Sequence, residues 1–123
     1  HSLLNLRTMR DLEGHPKIGA SWEGFVLQEA VSLLGVRWRE CFFWATHSGA
    51  KLDLFVTRGR QRIGIEIKRT SAPRVTKSMQ VAMADLGLRS LYVIHAGTDS
   101  FPMAKGIKAV PLGKMREALK PLK

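Results

Sequence analysis

The two residues Gly59-Arg60 separate two stretches in which apolar and polar residues alternate, and this pair constrains the fold more than any other part of the chain. The stretches read Ala50-Lys51-Leu52-Asp53-Leu54-Phe55-Val56-Thr57 and Arg62-Ile63-Gly64-Ile65-Glu66-Ile67-Lys68. A period of two is the pattern of a half-buried strand, and a two-residue connection fixes the register of a β-hairpin. With Gly59 and Arg60 as the loop, Arg58 faces Gln61, and counting back sets Asp53 opposite Glu66. Directly opposed residues share a sheet face with β-carbons about 5 Å apart, and Lys68, two residues on, points the same way. Leu52, Leu54, Val56, Ile63, Ile65 and Ile67 then take the other face. Two carboxylates in contact repel, so the arrangement calls for a divalent cation between them or a raised pKa on one. Gly64, opposite Phe55, would make room for the ring.

At 123 residues and 45% apolar content, the chain suits one domain with a single core. No apolar run is long enough to cross a bilayer, so no membrane partner is expected. The single Cys41 excludes an intrachain disulfide and a cysteine zinc site, and suits a reducing cytoplasm. His1, His15, His47 and His95 have no partners at metal-ligand spacing, and each is expected to be exposed or internally satisfied. Twenty Lys and Arg against ten Asp and Glu give a formal charge of +10. Nucleic acid is the commonest partner for such a field, although part of the excess lies at the carboxyl end in Lys114, Arg116, Lys120 and Lys123. The chain opens on His1 with no initiator methionine and no signal-peptide pattern, so it is expected to be the carboxyl-terminal piece of a longer protein.

Residues 1–14 read as a short helical or irregular lead-in from a preceding domain, and His15-Pro16-Lys17-Ile18-Gly19 as a connector into a domain spanning 15–123. Ser21 is a suitable N-cap and Gly35 a suitable stop for a helix with Val26, Leu27, Ala30, Val31, Leu33 and Leu34 on one face. Glu23 falls near the centre of that arc, which is about 140° wide, and points inward. The aromatic-rich stretch 37–46 reads as a strand, and Ser71-Ala72-Pro73 breaks the sheet after the hairpin. A helix is expected from about Val75 to Leu86, a buried strand over 91–96, a short strand over 107–112, and a basic terminal helix. A helical connection between strands implies a parallel neighbour, whereas the hairpin is antiparallel, so the expected fold is an α/β sandwich with a mixed central sheet flanked by helices.

An inward, ionised Glu23 is costly unless it meets a partner, and the geometry is natural if its helix packs over the hairpin face that carries Asp53 and Glu66. Three acids and Lys68 would then converge. In phosphodiester hydrolysis Asp53 and Glu66 would hold Mg²⁺, Lys68 would orient water or stabilise developing charge, and Glu23 would support the metal shell or the water. Arg69, Arg74 and Lys77 follow with no intervening acid and are candidate phosphate contacts, with a solvated helix entrance as the alternative. Trp22, Trp38 and Trp44 sit in apolar elements and read as core. Neither a phosphate-binding Gly-rich loop with Lys, nor a nucleophile elbow, nor a His-Glu-x-x-His helix is present, so no nucleotide cofactor and no ATPase activity are expected in this stretch.

An inward helical glutamate, an aspartate on one strand and Glu-x-Lys on the next resemble the PD-(D/E)XK nuclease superfamily, with its restriction-endonuclease-like fold. The set His15-Pro16, Gly19-Ala20-Ser21-Trp22-Glu23-Gly24-Phe25, Phe43-Trp44, Thr46-His47-Ser48-Gly49, Asp53, Glu66-Ile67-Lys68-Arg69 and Asp85-Leu86-Gly87 is similar to a domain of unknown function that follows the motor core in a group of prokaryotic AAA+ ATPases. The likeness covers residues 12–112. It implies metal binding by Asp53 and Glu66, catalysis by Lys68 with Glu23 in support, DNA as partner, and an ATPase domain earlier in the same polypeptide. A catalytically inactive DNA-binding or protein-interaction module that regulates the ATPase is the alternative. The chain departs from the superfamily at Lys51, where members usually carry an acid. By the hairpin register Lys51 faces Lys68, opposing two like charges.

Overall fold

A computed structural model describes residues 6–8 and 22–123. Its elements run β1 (Leu6–Thr8), α1 (Trp22–Leu34), β2 (Cys41–Ala45), β3 (Lys51–Arg58), β4 (Gln61–Lys68), α2 (Lys77–Leu86), β5 (Ser90–His95), β6 (Phe101–Ala104), β7 (Ile107–Pro111) and α3 (Met115–Ala118). The seven strands form one sheet in the order β1-β2-β3-β4-β5-β7-β6. β1 through β4 pair antiparallel, β4 with β5 and β5 with β7 are parallel, and β6 closes the edge antiparallel to β7. The α/β sandwich with a mixed sheet is thus the architecture. The connector at 15–19, the cap at Ser21 and the boundary between 14 and 15 lie outside the described residues.

Local chemistry explains where the helices stop and start. α1 ends where Gly35 adopts φ +66, a left-handed conformation that suits glycine. α2 starts two residues later than its apolar pattern suggests, because the Thr76 hydroxyl accepts the Met79 N–H at 3.2 Å and caps it. Its other end stops at Gly87, with φ +60, and the Arg62 guanidinium donates to the Leu86 carbonyl at 3.0 Å.

Each helix covers one sheet face. α1 buries Val26, Leu27, Ala30, Val31 and Leu34 against Leu54, Val56, Ile63, Ile65 and Ile67, with Met115 and Leu119 completing that core. α2 buries Met79, Ala82 and Leu86 on the opposite face, against Trp44, Leu52, Phe55, Leu91 and Val93. Two expectations are corrected here. α1 lies over the isoleucine face of the hairpin, not over the face that carries Glu66. Leu52 leaves the Leu54–Val56 face for the α2 side, and a β-bulge is the reason. β2 and β3 pair Cys41↔Val56 and Phe42↔Phe55, then Trp44↔Leu52 and Ala45↔Lys51. One residue of β2, Phe43, thus opposes two of β3, Asp53 and Leu54, and the extra residue reverses the alternation beyond it.

Three further segments differ from the sequence reading. Leu6–Thr8, expected as helical or irregular, is the edge strand beside β2. Trp38–Glu40 is a 3-10 turn rather than strand, closed by the Glu40 carboxylate accepting the Arg37 N–H at 2.9 Å. Phe101–Ala104 adds an edge strand, where Pro102 lacks the N–H that an interior position would need.

A clamp on the far end of β3 fixes the hairpin. Arg58 donates to both Glu40 carboxylate oxygens at 2.9 Å, to the Gly35 carbonyl at 3.1 Å and to the Leu122 carbonyl at 3.2 Å. One guanidinium therefore joins the end of α1, the turn before β2 and the carboxyl-terminal segment.

Candidate active site

The hairpin turn sets the register that the site needs. Arg58 pairs with Gln61, and the ladder runs through Val56↔Ile63 and Phe55↔Gly64 to Leu54↔Ile65. There the backbone ladder ends and side chains take over. The Asp53 N–H donates to Glu66 Oε1 at 3.2 Å, and the Asp53 Oδ2 accepts the Ile67 N–H at 2.8 Å. Beyond Leu54↔Ile65 the two carboxylates thus bridge β3 and β4. Lys68 Nζ lies 3.5 Å from Glu66 Oε2.

Burial divides these groups. Glu66 is 2% exposed, whereas the Lys68 side chain is 35% exposed and forms the rim. Loss of hydration pushes the Glu66 carboxyl up to about 8, reinforced by the Asp53 charge and a hydrogen bond with the Asp53 side chain. The Lys68 charge and the Asp53 N–H pull the other way without cancelling the effect. A proton on Glu66 is thus one of the two solutions that facing carboxylates allow, and a divalent cation is the other.

Lys51 does not face Lys68. Beyond the bulge it pairs with Ala45 of β2. Ala50 and Leu52 both pack on the α2 side, so alternation sends Lys51 to the opposite face from Lys68. The opposed like charges expected from an unbroken register are removed by the same bulge that aims Asp53.

Glu23 sits on the first turn of α1, at the sheet end where β4 finishes. Its carboxylate takes two bonds from Arg69, from Nη2 at 3.0 Å and from Nε at 3.2 Å. The Arg69 guanidinium also lies over the Trp22 ring, 5.4 Å from its centroid. Glu23 therefore meets Arg69, the basic residue after Lys68. Arg74 and Lys77 are exposed, and among the described residues neither side chain has a hydrogen-bond or ion-pair partner. Of the tryptophans, Trp44 is fully buried, while Trp22 and Trp38 pack half-buried against the α1-side core.

Residues 18–115 match the family model described as a domain of unknown function, DUF4143. The chain belongs to this family. Over 111 residues it is 41% identical to the uncharacterized protein Mb2031c of Mycobacterium bovis, and equally to the uncharacterized protein Rv2008c of Mycobacterium tuberculosis. Each match covers 90% of the chain and 25% of the relative, so the chain spans about a quarter of the length of these curated relatives. No solved structure gives a significant match.

All of Glu23, Asp53, Glu66, Lys68, Arg69, Arg74 and Lys77 fall within the DUF4143 span. His95 is internally satisfied, one of the two states expected for it, but its place beside Lys68 was not foreseen. His95 pairs with Lys68 in the parallel β4–β5 register and is fully buried. Its Nδ1 accepts the Gly97 N–H at 3.0 Å, which leaves the ring proton on Nε2 to donate to the Asp99 carbonyl at 2.9 Å. The signal was a lone histidine ending an apolar run, Leu91-Tyr92-Val93-Ile94-His95, at the register position of the lysine. Among the described residues, no three His, Cys, Asp or Glu side chains come together at metal-holding spacing. No helix of the described residues is long and apolar enough to cross a membrane.

Proposed function

We propose that this DUF4143 domain is a nuclease-like module of a larger cytoplasmic AAA+ ATPase, and that Asp53, Glu66 and Lys68 form a divalent-metal-dependent site for phosphodiester hydrolysis in DNA. The observation that supports this reading is a carboxylate pair, Glu66 buried and Asp53 half-buried, placed where the β3–β4 ladder ends, with a lysine at its solvent rim. An aspartate on β3, Glu-x-Lys on β4 and a glutamate on the preceding helix also keep the pattern of the PD-(D/E)XK resemblance. The greater length of the relatives leaves room for an ATPase domain.

The donor set suits a hard cation. Asp53 and Glu66 offer oxygen ligands only, and Mg²⁺ is usually held by one or two carboxylates with water and substrate oxygens completing its shell. Bound there, Mg²⁺ would polarise the phosphate and lower the pKa of a bound water. The chain's own residues do the rest. Asp53 is held in place by the Ile67 N–H, Glu66 is fixed by the Asp53 N–H, and Lys68 places a positive charge where negative charge develops on the phosphate. Arg74 and Lys77, exposed and unpaired among the described residues, would contact flanking phosphates.

The non-catalytic alternative has one observation in its favour. Glu66 holds a proton near neutral pH and its remaining oxygen faces Lys68, which is a self-satisfied arrangement without a metal. Plasmid incubated with the protein and Mg²⁺ or Mn²⁺, beside Asp53→Ala and Lys68→Ala variants, separates the two readings. Metal-dependent nicking that both variants lose is expected. A wild type that leaves plasmid intact, or variants that cut equally, would remove the hydrolase claim and leave a binding module.

A further inference from the structure

The basic sheet end carries an aromatic feature that phosphate contacts and metal chemistry do not use. Phe25 is 63% exposed, and it is the one large apolar side chain so exposed among the described residues. It lies on the first turn of α1, three residues from Trp22, so the two rings are neighbours on the helix surface, about 60° apart. Trp22 packs its body against the core and carries the Arg69 guanidinium on its ring. Arg69 is 68% exposed and immediately follows Lys68 in the chain.

The state of Arg69 narrows what this surface can bind. Its Nε and Nη2 hydrogen-bonding edge is committed to Glu23, which leaves it a poor bidentate phosphate clamp. Its planar face is backed by Trp22 and stands largely in solvent. A backed guanidinium plane beside an exposed phenyl ring offers two flat surfaces, and nucleobases are flat, polarisable and tolerant of either surface. Bases in a duplex are already stacked on each other, so such surfaces serve unpaired bases.

We propose that Phe25 and the Trp22-backed Arg69 form a stacking platform for unpaired nucleobases, which brings a single-stranded segment or frayed end to the sheet end bearing Lys68. The net charge of +10 and the exposed Arg74 and Lys77 favour a polyanionic occupant over an apolar protein surface. The proposal deepens the nucleic-acid reading above and rests on it.

The test measures binding of a fluorescent oligothymidylate, the matching duplex and an abasic strand of equal length, at several salt concentrations. The wild type is expected to bind the oligothymidylate more tightly than the abasic strand. Phe25→Ala should weaken oligothymidylate binding by about fivefold or more and leave duplex and abasic binding unchanged, while Phe25→Trp should restore it. Phe25→Leu, which keeps apolar area without a flat ring, should not restore it. Arg69→Lys should weaken the oligothymidylate selectively, with an unchanged salt slope. Phe25→Ala that binds all three probes like the wild type overturns the platform but leaves duplex binding, and the nucleic-acid reading, standing. Full rescue by Phe25→Leu overturns stacking in favour of apolar docking. Absence of binding to every probe overturns this inference together with the nucleic-acid reading.

Discussion

Asp53 and Glu66 are joined by more than proximity: the Asp53 backbone N–H donates to the Glu66 carboxylate at 3.2 Å, while the Asp53 carboxylate accepts from the residue after Glu66 at 2.8 Å. The two side chains bond across β3 and β4 where the backbone ladder ends, so the pair is held without a ligand. The cost falls on Glu66, whose carboxyl is raised from 4.5 to about 8. A raised carboxyl favours the folded state while it is protonated. That contribution is complete below about 4.5 and is lost as pH climbs through about 8. Glu66→Gln keeps the shape and removes the titration. Melting curves should therefore show the variant close to the wild type in mild acid and more stable above about pH 8, by a few kcal/mol at most. Parallel pH profiles for the two proteins would contradict the burial argument.

Cation binding at the same pair should also be visible as stability. A ligand that binds only the folded state raises stability by about 2.7 kcal/mol at a hundredfold excess over its Kd, which for a domain of this size is several degrees in Tm. Mg²⁺ or Mn²⁺ should raise the wild-type Tm on that scale and leave Asp53→Ala unmoved. An equal rise in Asp53→Ala would place the cation elsewhere on the surface.

The hairpin was legible because a two-residue turn fixes register by geometry alone, and Arg58↔Gln61 through Leu54↔Ile65 follow from it. The bulge was not. Lys51-Leu52-Asp53-Leu54 alternates without a break, and nothing local marks the residue that β2 leaves unmatched. That one residue moved Leu52 to the other face and Lys51 away from Lys68. Helical spacing placed Glu23 inward, whereas its side chain is 36% exposed and meets Arg69 at the sheet end; the face its helix would take was not legible either, because that depends on which side of the sheet the α2 crossover occupies. β1 and β6 escaped for a simpler reason: three residues, or four with a proline, carry too little pattern to stand above turn composition.

Because the bulge turns Lys51 away, its charge should matter little to the carboxylates. Lys51→Ala is expected to change metal affinity, read from the cation-induced shift in Tm, by no more than about twofold, the scale of an exposed, screened charge. A tenfold or larger gain (about 1.4 kcal/mol) would mean that Lys51 reaches the site after all.

Arg58 should be the residue whose loss loosens the fold without touching the site. It joins Glu40, Gly35 and Leu122, and it holds the Glu40 carboxyl down at about 2. A depressed carboxyl stabilises the fold above its ordinary value of 4.5, and that contribution is lost as pH falls towards 2. Arg58→Ala should lower Tm by several degrees at neutral pH, with the gap closing in strong acid. Arg58→Lys should recover only part of it, since an ammonium cannot reproduce the guanidinium fork. A constant gap down to pH 2 would assign the loss to packing and not to the Glu40 pair.

Two closely packed glycines should respond differently to one added methyl group. At Gly64 a Cβ would meet Leu88 Cδ1 at 2.8 Å, Leu91 Cδ1 at 2.9 Å and Leu52 Cδ2 at 3.0 Å, so leucine ends, more than the Phe55 ring, fill its space. These are mobile tips, and Gly64→Ala should cost about 1–2 kcal/mol through crowding. At Gly97 the added atom would lie 2.6 Å from the Ser71 carbonyl oxygen and 3.0 Å from His95 Nδ1. Backbone cannot turn aside as a leucine can, and the shift would also break the Gly97 N–H bond that fixes the His95 tautomer. Gly97→Ala should therefore destabilise by about 3 kcal/mol or more, and the His95 tautomer, followed by its ring nitrogen resonances, should change with it. A Gly97→Ala protein as stable as Gly64→Ala, with unmoved His95 ring resonances, would show that the loop after β5 yields freely and does not hold the histidine beside Lys68.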